Sequence, residues 1–339
     1  MNQEISCQLP VVRQRSQINK KQQSWFNMDK VQEFQRSVGV TKSDEFNKKK
    51  LATHAINGGL LCGHGCAYCS TPSLLRTHAL FRDMGISSFQ YFENGGSVVD
   101  PWTAIRVGRQ IGNLSADDMV MISTITDCWS PEAQKYNLGR KILEQVLVNS
   151  KCQVRILTKN AAVQNNFDLI KQFGDRIRIG LSITSPVSKE NIMKLIEPNA
   201  SLTSERIDAM KKAHSLGIKT FGMICPVLPG IGNDPESFGE MLSSVLECQP
   251  EAIWTEPLNA RGPGIIRCVE ILHENGMDSI AAQIDMVRNS TLHMVYVEEL
   301  INMATAVAKQ LNCVEKLKIL VYANGDGYRV DDQAVIWLK

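Results

Sequence analysis

The sequence predicts an α/β fold, a partial (β/α)6 barrel of the TIM type that is preceded by an irregular basic N-terminal arm. Short apolar runs, as in strands buried on both faces, alternate with amphipathic helical stretches. This alternation is typical of parallel βαβ units. The 339 residues are 43% hydrophobic and 21% charged, which indicates a globular protein and argues against global disorder.

Seven apolar runs are predicted to be the strands of this barrel. In parallel α/β sheets, ligands bind at the C-terminal ends of the strands, so we expect the chemistry to lie directly after these runs. The predicted strands are Ala52–Gly58, Met119–Ile125, Gln153–Thr158, Arg176–Ser182, Lys219–Cys225, Ala252–Glu256 and Leu317–Tyr322.

Five helices are predicted around these strands, and their ends carry recognisable signals. Ser130 is a good N-cap and Pro131 suits the first turn, whereas Gly217 is a typical stop. The predicted helices are Pro131–Val148, Ala161–Phe173, Leu202–Leu216, Pro235–Glu247 and Thr291–Leu311.

We predict three segments, a basic arm at 1–50, a barrel at 51–325 and a C-terminal tail at 326–339. The arm contains ten Lys or Arg and five Asp or Glu, although the whole chain has a net charge of only +2. Two interpretations of the arm are open. It is a solvated, partly disordered segment, or it contacts phosphates of a nucleic acid.

Cysteine content and hydropathy indicate the compartment. The chain has ten cysteines, no apolar run near the ~20 residues of a membrane span, and an N-terminus with an early acid, Glu4, and no apolar core. A disulfide framework is typical of shorter secreted chains. We therefore expect a cytoplasmic protein without a membrane partner, in which some cysteines bind a metal or take part in a reaction.

The strongest local signal is a cysteine cluster directly after the first predicted strand. Cys62, Cys66 and Cys69 fall within eight residues, and two glycines between the first two allow the loop to curl. Clustered thiolates bind zinc or iron–sulfur. Zinc requires a fourth ligand, for which His64, His54 or His78 are candidates, whereas a cluster with three protein ligands leaves one iron open.

With the aromatic Tyr68 before its last cysteine, this motif resembles the signature of radical S-adenosylmethionine (radical SAM) enzymes. The resemblance extends over roughly 52–322, and within the superfamily it is greatest to spore photoproduct lyase and related DNA repair photolyase-like proteins. The stretches that carry it are Ser123–Asp127, Ile156–Lys159, Leu181–Thr184, Ile196–Pro198, Pro226–Ile231 and Thr255–Asn259.

The resemblance implies that the three cysteines hold a [4Fe–4S] cluster and that its open iron binds S-adenosylmethionine. Reductive cleavage of this cofactor would yield a 5′-deoxyadenosyl radical that abstracts hydrogen from a substrate. The resemblance further implies lyase-like chemistry in DNA repair, and an electron donor of the flavodoxin or ferredoxin type.

Five further residues are candidate cofactor contacts by this resemblance. Thr126 and Lys159 would bind the amino and carboxylate groups of S-adenosylmethionine, and Ser182 the carboxylate or the ribose. The backbone of Cys225 would meet the adenine, and Tyr68 would lean on the adenine or shield the cluster. Ordinary structural roles remain open: strand-end turns for the serine, and packing for the cysteine side chain.

Cys128 is the candidate catalytic residue. Spore photoproduct lyase returns a hydrogen atom from a cysteine, and the equivalent position in this chain is Thr124. Cys128, four residues later, is a possible substitute, and a small buried apolar residue is the alternative. This departure from the family pattern weakens the expectation of the photoproduct-lyase reaction itself.

Three functions follow from these observations. The first is a radical SAM enzyme that acts on nucleic acid, and the second is one that modifies a peptide, protein or small molecule, because substrate class does not follow from fold. The third is a non-catalytic protein with a structural zinc ion or cluster.

Overall fold

The computed structural model describes residues 30–339, so the first 29 residues of the predicted arm lie outside the described residues. The described strands form two sheets. They are β1 (Val31–Glu33), β2 (Thr41–Lys42), β3 (His54–Ile56), β4 (Gly59–Leu61), β5 (Ser97–Val99), β6 (Met119–Ile122), β7 (Gln153–Thr158), β8 (Ile177–Ile183), β9 (Lys219–Thr220), β10 (Gly222–Val227), β11 (Ile253–Pro257), β12 (Leu317–Val321) and β13 (Val335–Trp337).

Helices connect most of these strands. None of them, within residues 30–339, is both long enough and apolar enough to cross a membrane. They are α1 (Asp44–Lys48), α2 (Thr71–Leu74), α3 (Ala79–Asp83), α4 (Ser88–Glu93), α5 (Thr103–Gln110), α6 (Pro131–Lys135), α7 (Leu138–Asn149), α8 (Phe167–Gln172), α9 (Glu190–Ile196), α10 (Thr203–Ser215), α11 (Pro235–Leu246), α12 (Gly264–Glu274), α13 (Asp278–Met286) and α14 (Ser290–Gln310).

The large sheet is almost entirely parallel. Its order is β13-β12-β11-β10-β8-β7-β6-β3-β2, with β9 paired to β8, and only β2 is antiparallel to its neighbour. The small sheet has the order β1-β5-β4. The predicted α/β class with a parallel sheet is therefore confirmed, and each of the seven predicted strands contributes to the large sheet.

Two predicted helices are interrupted in the structure. The stretch 131–148 is divided into α6 and α7 because Asn137 adopts a left-handed conformation with φ of 50°, which ends the first helix. The stretch 161–173 begins as a 3-10 helix over Ala161–Asn166 before α8. The other three predicted helices match α10, α11 and α14 to within one residue at each end.

The strands are buried on both faces, as their continuous apolar character predicts. On β6, Val120 packs among the helices that cover the sheet, whereas its neighbour Met121 packs on the opposite face. That opposite face carries a smaller apolar cluster that includes Phe221, Met223 and Trp254. Because successive side chains of a strand alternate, each strand divides its residues between these two cores.

The segment expected to be part of a loose arm bridges the two ends of the large sheet. Strand β2 pairs with β3 at one end. A few residues later, Lys49 lies 3.7 Å from Glu256 of β11 and hydrogen-bonds Tyr322 just after β12, near the other end. The Trp254 indole also donates to the Lys49 carbonyl at 3.0 Å. Residues 41–49 thus contact strands near both ends of the large sheet.

The C-terminal segment differs from expectation in the same way. Residues 326–339 were predicted to be a tail, but they include β13, which pairs in parallel with β12 and extends the sheet. Leu338, further along, joins the inner apolar cluster. This segment is part of the fold.

Lys49→Ala should reduce the free energy of unfolding by about 3 kcal/mol or more, because it leaves the Glu256 carboxylate buried without its cation. Lys48→Ala is the matched control, since this neighbouring side chain is exposed and its loss should cost less than about 0.5 kcal/mol. Urea unfolding followed by circular dichroism compares the two. Equally small effects would contradict the bridging role of Lys49.

Candidate functional site

The loop that carries the cysteine cluster begins where β4 ends. The sequence analysis expected it to follow the first strand of the main sheet directly, but β4 belongs to the small sheet and lies between β3 and the loop. Gly65 adopts a φ of 68°, a conformation that side-chain-bearing residues rarely take, and this turn separates Cys62 from Cys66. Helix α2 follows directly after the loop.

Backbone and side-chain hydrogen bonds hold the cysteine loop against the sheet. The Gly63 N–H donates to the buried Glu132 carboxylate at 2.9 Å, and the Asn199 amide donates to the Gly63 carbonyl at 3.0 Å. The Ala67 N–H donates to the Ile196 carbonyl at 2.9 Å. The loop is therefore fixed by elements that are distant in sequence.

Asp127 is the centre of this anchoring. Its carboxylate lies 2.8 Å from His64 Nε2, and it accepts hydrogen bonds from the Thr158 hydroxyl and the Lys159 N–H at 2.8 and 2.9 Å. Burial opposes the charge, but His64 and these donors lower the pKa of Asp127 below its ordinary value. One carboxylate thereby joins the cysteine loop to the carboxyl ends of β6 and β7.

A cavity of about 480 Å³ opens at the carboxyl edge of the parallel strands, within the usual size range of small-molecule sites. Most of the predicted site residues line it together. They are Cys62, Cys66, Tyr68, Cys69, Lys159, Ser182 and Cys225.

Thr126 and Cys128 are not among the residues that line this cavity. The Thr126 hydroxyl donates to the Gly59 carbonyl at 3.4 Å, and Thr124 lies at the cavity instead. Cys128 is buried in the apolar core beneath the helices, where burial raises the pKa of its thiol to about 12. This location favours the packing role for Cys128 over the predicted hydrogen-donor role.

A buried charge network stands behind the cysteine loop. Glu197 hydrogen-bonds the Tyr68 hydroxyl and the Arg206 guanidinium, and it lies 3.1 Å from Lys159 Nζ. Burial acts against ionisation, but Arg206 and Lys159 lower the pKa of Glu197 far below its ordinary value. Two cations share one carboxylate, so this wall of the cavity keeps a net positive charge of about one near Lys159.

Burial disfavours the thiolate form of two cysteines of the loop, Cys62 and Cys66. Burial raises the pKa of Cys62 well above its ordinary value, and Glu132 and the other two cysteines add to the effect. Burial and Glu197 also raise the pKa of Cys66. Within residues 30–339, no three His, Cys, Asp or Glu side chains lie close enough to hold one metal ion.

The far wall of the cavity contains residues that the sequence analysis did not identify. Glu45, Lys49, Glu256 and Tyr322 form a cluster there, which we call the far-wall cluster. Burial would lower the pKa of Lys49, but Glu256 and Tyr322 outweigh it and raise the value. Two of these residues, Glu256 and Tyr322, lie at the ends of predicted strands, and this position is the sequence signal that could have identified them.

Comparisons with known proteins give distant relatives. No protein-family model matches the chain. It is 25% identical over 269 residues to an uncharacterized protein of Methanocaldococcus jannaschii, a match that covers 78% of this chain and 92% of that protein. It is also 26% identical over 214 residues to an uncharacterized protein of Acidianus two-tailed virus, which covers 61% of this chain and 68% of that one.

Among solved structures, the chain is similar to variants of spore photoproduct lyase. A cysteine-to-serine variant has a TM-score of 0.47 and 15% identity, and a cysteine-to-alanine variant with dinucleoside spore photoproduct has 0.48 and 17%. Each match covers 72% of this chain and 66% of the other. Similarity at this level carries no information about activity.

Arg206→Met should reduce the free energy of unfolding by about 3–5 kcal/mol, because it removes one partner of a fully buried ion pair. The double variant Glu197→Gln with Arg206→Met should recover much of this loss, since no carboxylate is then left buried and unpaired by Arg206. Urea unfolding of the three proteins measures the effect. If the losses in free energy of unfolding of the two single variants simply add in the double variant, Glu197 and Arg206 do not act as one buried charge network.

Proposed function

We propose that this protein is a radical SAM enzyme that uses a [4Fe–4S] cluster on Cys62, Cys66 and Cys69. The observation that carries the proposal is that these three thiols, at the spacing of the radical SAM signature, share one cavity at the carboxyl edge of a parallel sheet. Ligand sites of parallel α/β sheets lie at that edge.

The donor set fits such a cluster. All three cysteines are free, and they line the same cavity. The ligands of a cluster bind different iron atoms, so they can stand farther apart than the ligands of a single ion. Loading requires deprotonation of buried thiols with raised pKa values, which a strongly bound metal centre drives.

The cluster and S-adenosylmethionine, when bound, would supply a 5′-deoxyadenosyl radical for hydrogen abstraction. The residues of the chain provide binding and orientation. The positive charge near Lys159 suits the cofactor carboxylate, and Ser182 offers a hydroxyl on the same wall. Tyr68, held by Glu197, offers an apolar ring beside Lys159 Nζ, which lies 5.7 Å from its centre. We retain Cys225 as the proposed adenine contact.

We further propose that the substrate is a nucleic acid. Arg36 and Lys42 line the cavity, and the Arg261 guanidinium lies 5.6 Å above the Tyr322 ring. These cations suit the phosphates of a nucleic-acid strand that crosses the opening of the cavity. Lys49, which belongs to the arm expected to contact phosphates, is engaged with Glu45 and Glu256 and is not available for that role.

Cys66→Ala should abolish both iron loading and 5′-deoxyadenosine formation after anaerobic reconstitution, because the open-iron geometry needs all three thiolates. Cys248→Ala is the control, since that thiol is buried in the core away from the cavity and bonds the Ser244 carbonyl. Iron and sulfide analysis with product chromatography measures the outcome. A Cys66→Ala protein with full activity, or wild type that holds one zinc ion and no iron, would overturn the proposal.

Single-stranded or ultraviolet-irradiated DNA should increase 5′-deoxyadenosine formation by wild type several-fold. Binding should weaken steeply with salt, by roughly 0.7–0.9 decades per decade of salt for each phosphate contact. Deletion of residues 1–29 tests the arm without removing the segment 41–49 that contacts strands near both ends of the large sheet. Cofactor cleavage that no nucleic acid stimulates would redirect the search to peptides, proteins and metabolites.

A further inference from the structure

Two large apolar side chains are exposed beside the cysteine loop, at the opening of the cavity. Leu74, at the end of α2, is 60% exposed, and Ile125, shortly after β6, is 45% exposed. Both line the cavity. Their segments are in contact, because the Thr71 hydroxyl at the start of α2 donates to the Ile125 carbonyl at 3.3 Å. Exposed apolar side chains that lie together mark surfaces that bind partners.

The surface around these two side chains is basic. The stretches 70–79, 121–126 and 257–266 contain two arginines, Arg76 and Arg261, but neither aspartate nor glutamate. Both arginine side chains are exposed. An anionic partner would therefore meet cations and no carboxylate from these stretches.

The third stretch lies against α2, so the two arginines belong to one surface. A Cβ atom on Gly262 would fall 1.9 Å from the Ser73 hydroxyl oxygen, which shows how closely the two segments approach each other. Arg261 immediately precedes this glycine, whose φ of 80° turns the chain. The exposed side chains of this surface, which we call the loop-side patch, are Leu74, Arg76, Ile125 and Arg261.

The loop-side patch lies next to the proposed cluster ligands. Helix α2 begins two residues after Cys69. The first residue of α12, Gly264, packs on the loop, since a Cβ atom on it would lie 2.8 Å from the Ala67 carbonyl oxygen. Cys62 and Cys69 are themselves only partly buried. A protein bound to the patch would therefore stand close to a metal centre held by these cysteines.

The proposed function requires a donor of single electrons. Each reductive cleavage of S-adenosylmethionine consumes one electron, which has to be replaced before the next turnover. Electron-transfer encounters between proteins bury little surface, and opposite charges on the two surfaces raise the rate of association. A small apolar centre with arginines at its edge suits such an encounter with an acidic protein.

We infer that the loop-side patch is the docking surface of an acidic one-electron carrier protein. In each encounter the carrier is oxidised by one electron, and the metal centre on the cysteine loop is reduced by one. The inference rests on the proposed function, because the carrier needs a redox centre on these cysteines. A nucleic-acid strand fits the patch less well, since leucine and isoleucine offer no aromatic face on which bases stack.

The test compares two reductants of the reconstituted full chain in the absence of nucleic acid. Reduced flavodoxin, an acidic carrier, has to dock, whereas dithionite is small and does not. Arg76→Glu should lower the kcat/KM for flavodoxin in 5′-deoxyadenosine formation by about tenfold or more, because it places a carboxylate against the acidic carrier. The dithionite-driven rate should stay within about twofold of wild type, as for a surface substitution that leaves the site intact.

Leu74→Ser tests the apolar centre of the patch. It should lower the kcat/KM for flavodoxin by about threefold or more, since it removes apolar area from the encounter. Added salt should lower the flavodoxin-driven rate of wild type and narrow its difference from Arg76→Glu, because salt screens exposed charges. Arg261 is left unchanged in every variant, because it is also a proposed phosphate contact.

Two variants on α5 and α7 are matched controls. Arg109→Glu reverses the charge of an exposed arginine on the last turn of α5, and this arginine has no ion pair within residues 30–339. Val148→Ser shortens an apolar side chain of α7 that is 78% exposed. Both variants should keep the wild-type rates with either reductant. The dithionite-driven rate also reports that each variant is folded and holds its metal centre.

The outcomes separate this inference from the proposed function. Wild type that forms no product with dithionite would overturn the proposed function, and the docking surface with it. Wild type that dithionite reduces but flavodoxin does not would overturn the docking surface alone, as would unchanged flavodoxin kinetics in Arg76→Glu and Leu74→Ser. If Arg76→Glu weakens binding of a single-stranded oligonucleotide and leaves the flavodoxin-driven rate unchanged, the patch is a nucleic-acid surface and the inference is wrong.

Discussion

The candidate site depends on the carboxylate of Asp127. It receives hydrogen bonds from Thr158 and the Lys159 backbone, and it pairs with His64 inside the cysteine loop. Without this carboxylate, the loop would keep its link to Glu132 but lose its link to the ends of two central strands. With the Trp129 N–H, which also donates to it, this buried acceptor satisfies four donors at once and is costly to replace, because each donor would then remain unpaired.

The cavity has two walls of opposite charge. Around Glu197 the cations are in excess, and in the far-wall cluster the carboxylates are in excess. The first wall suits an anionic group near the cysteines. A ligand with such a group would be oriented in the cavity by charge as well as by shape.

The strand pattern and the cysteine loop could be predicted from sequence because both are local signals. The positions of Thr126 and Cys128 could not, since Ser123 adopts a φ of 74° and interrupts the alternation of faces after β6. The role of residues 41–49 was also missed. Their polar composition indicated a solvated arm, whereas contacts with Tyr322 and Trp254, remote in sequence, decide their place.

The bridge between Lys49 and Tyr322 joins residues 273 positions apart. During synthesis, Lys49 leaves the ribosome long before its partner exists, whereas a domain folds as a unit once its segments have emerged. The contacts that residues 41–49 make with Tyr322 would therefore form only after the last strands of the large sheet have been synthesised. The order of translation would thus determine when the cavity becomes enclosed.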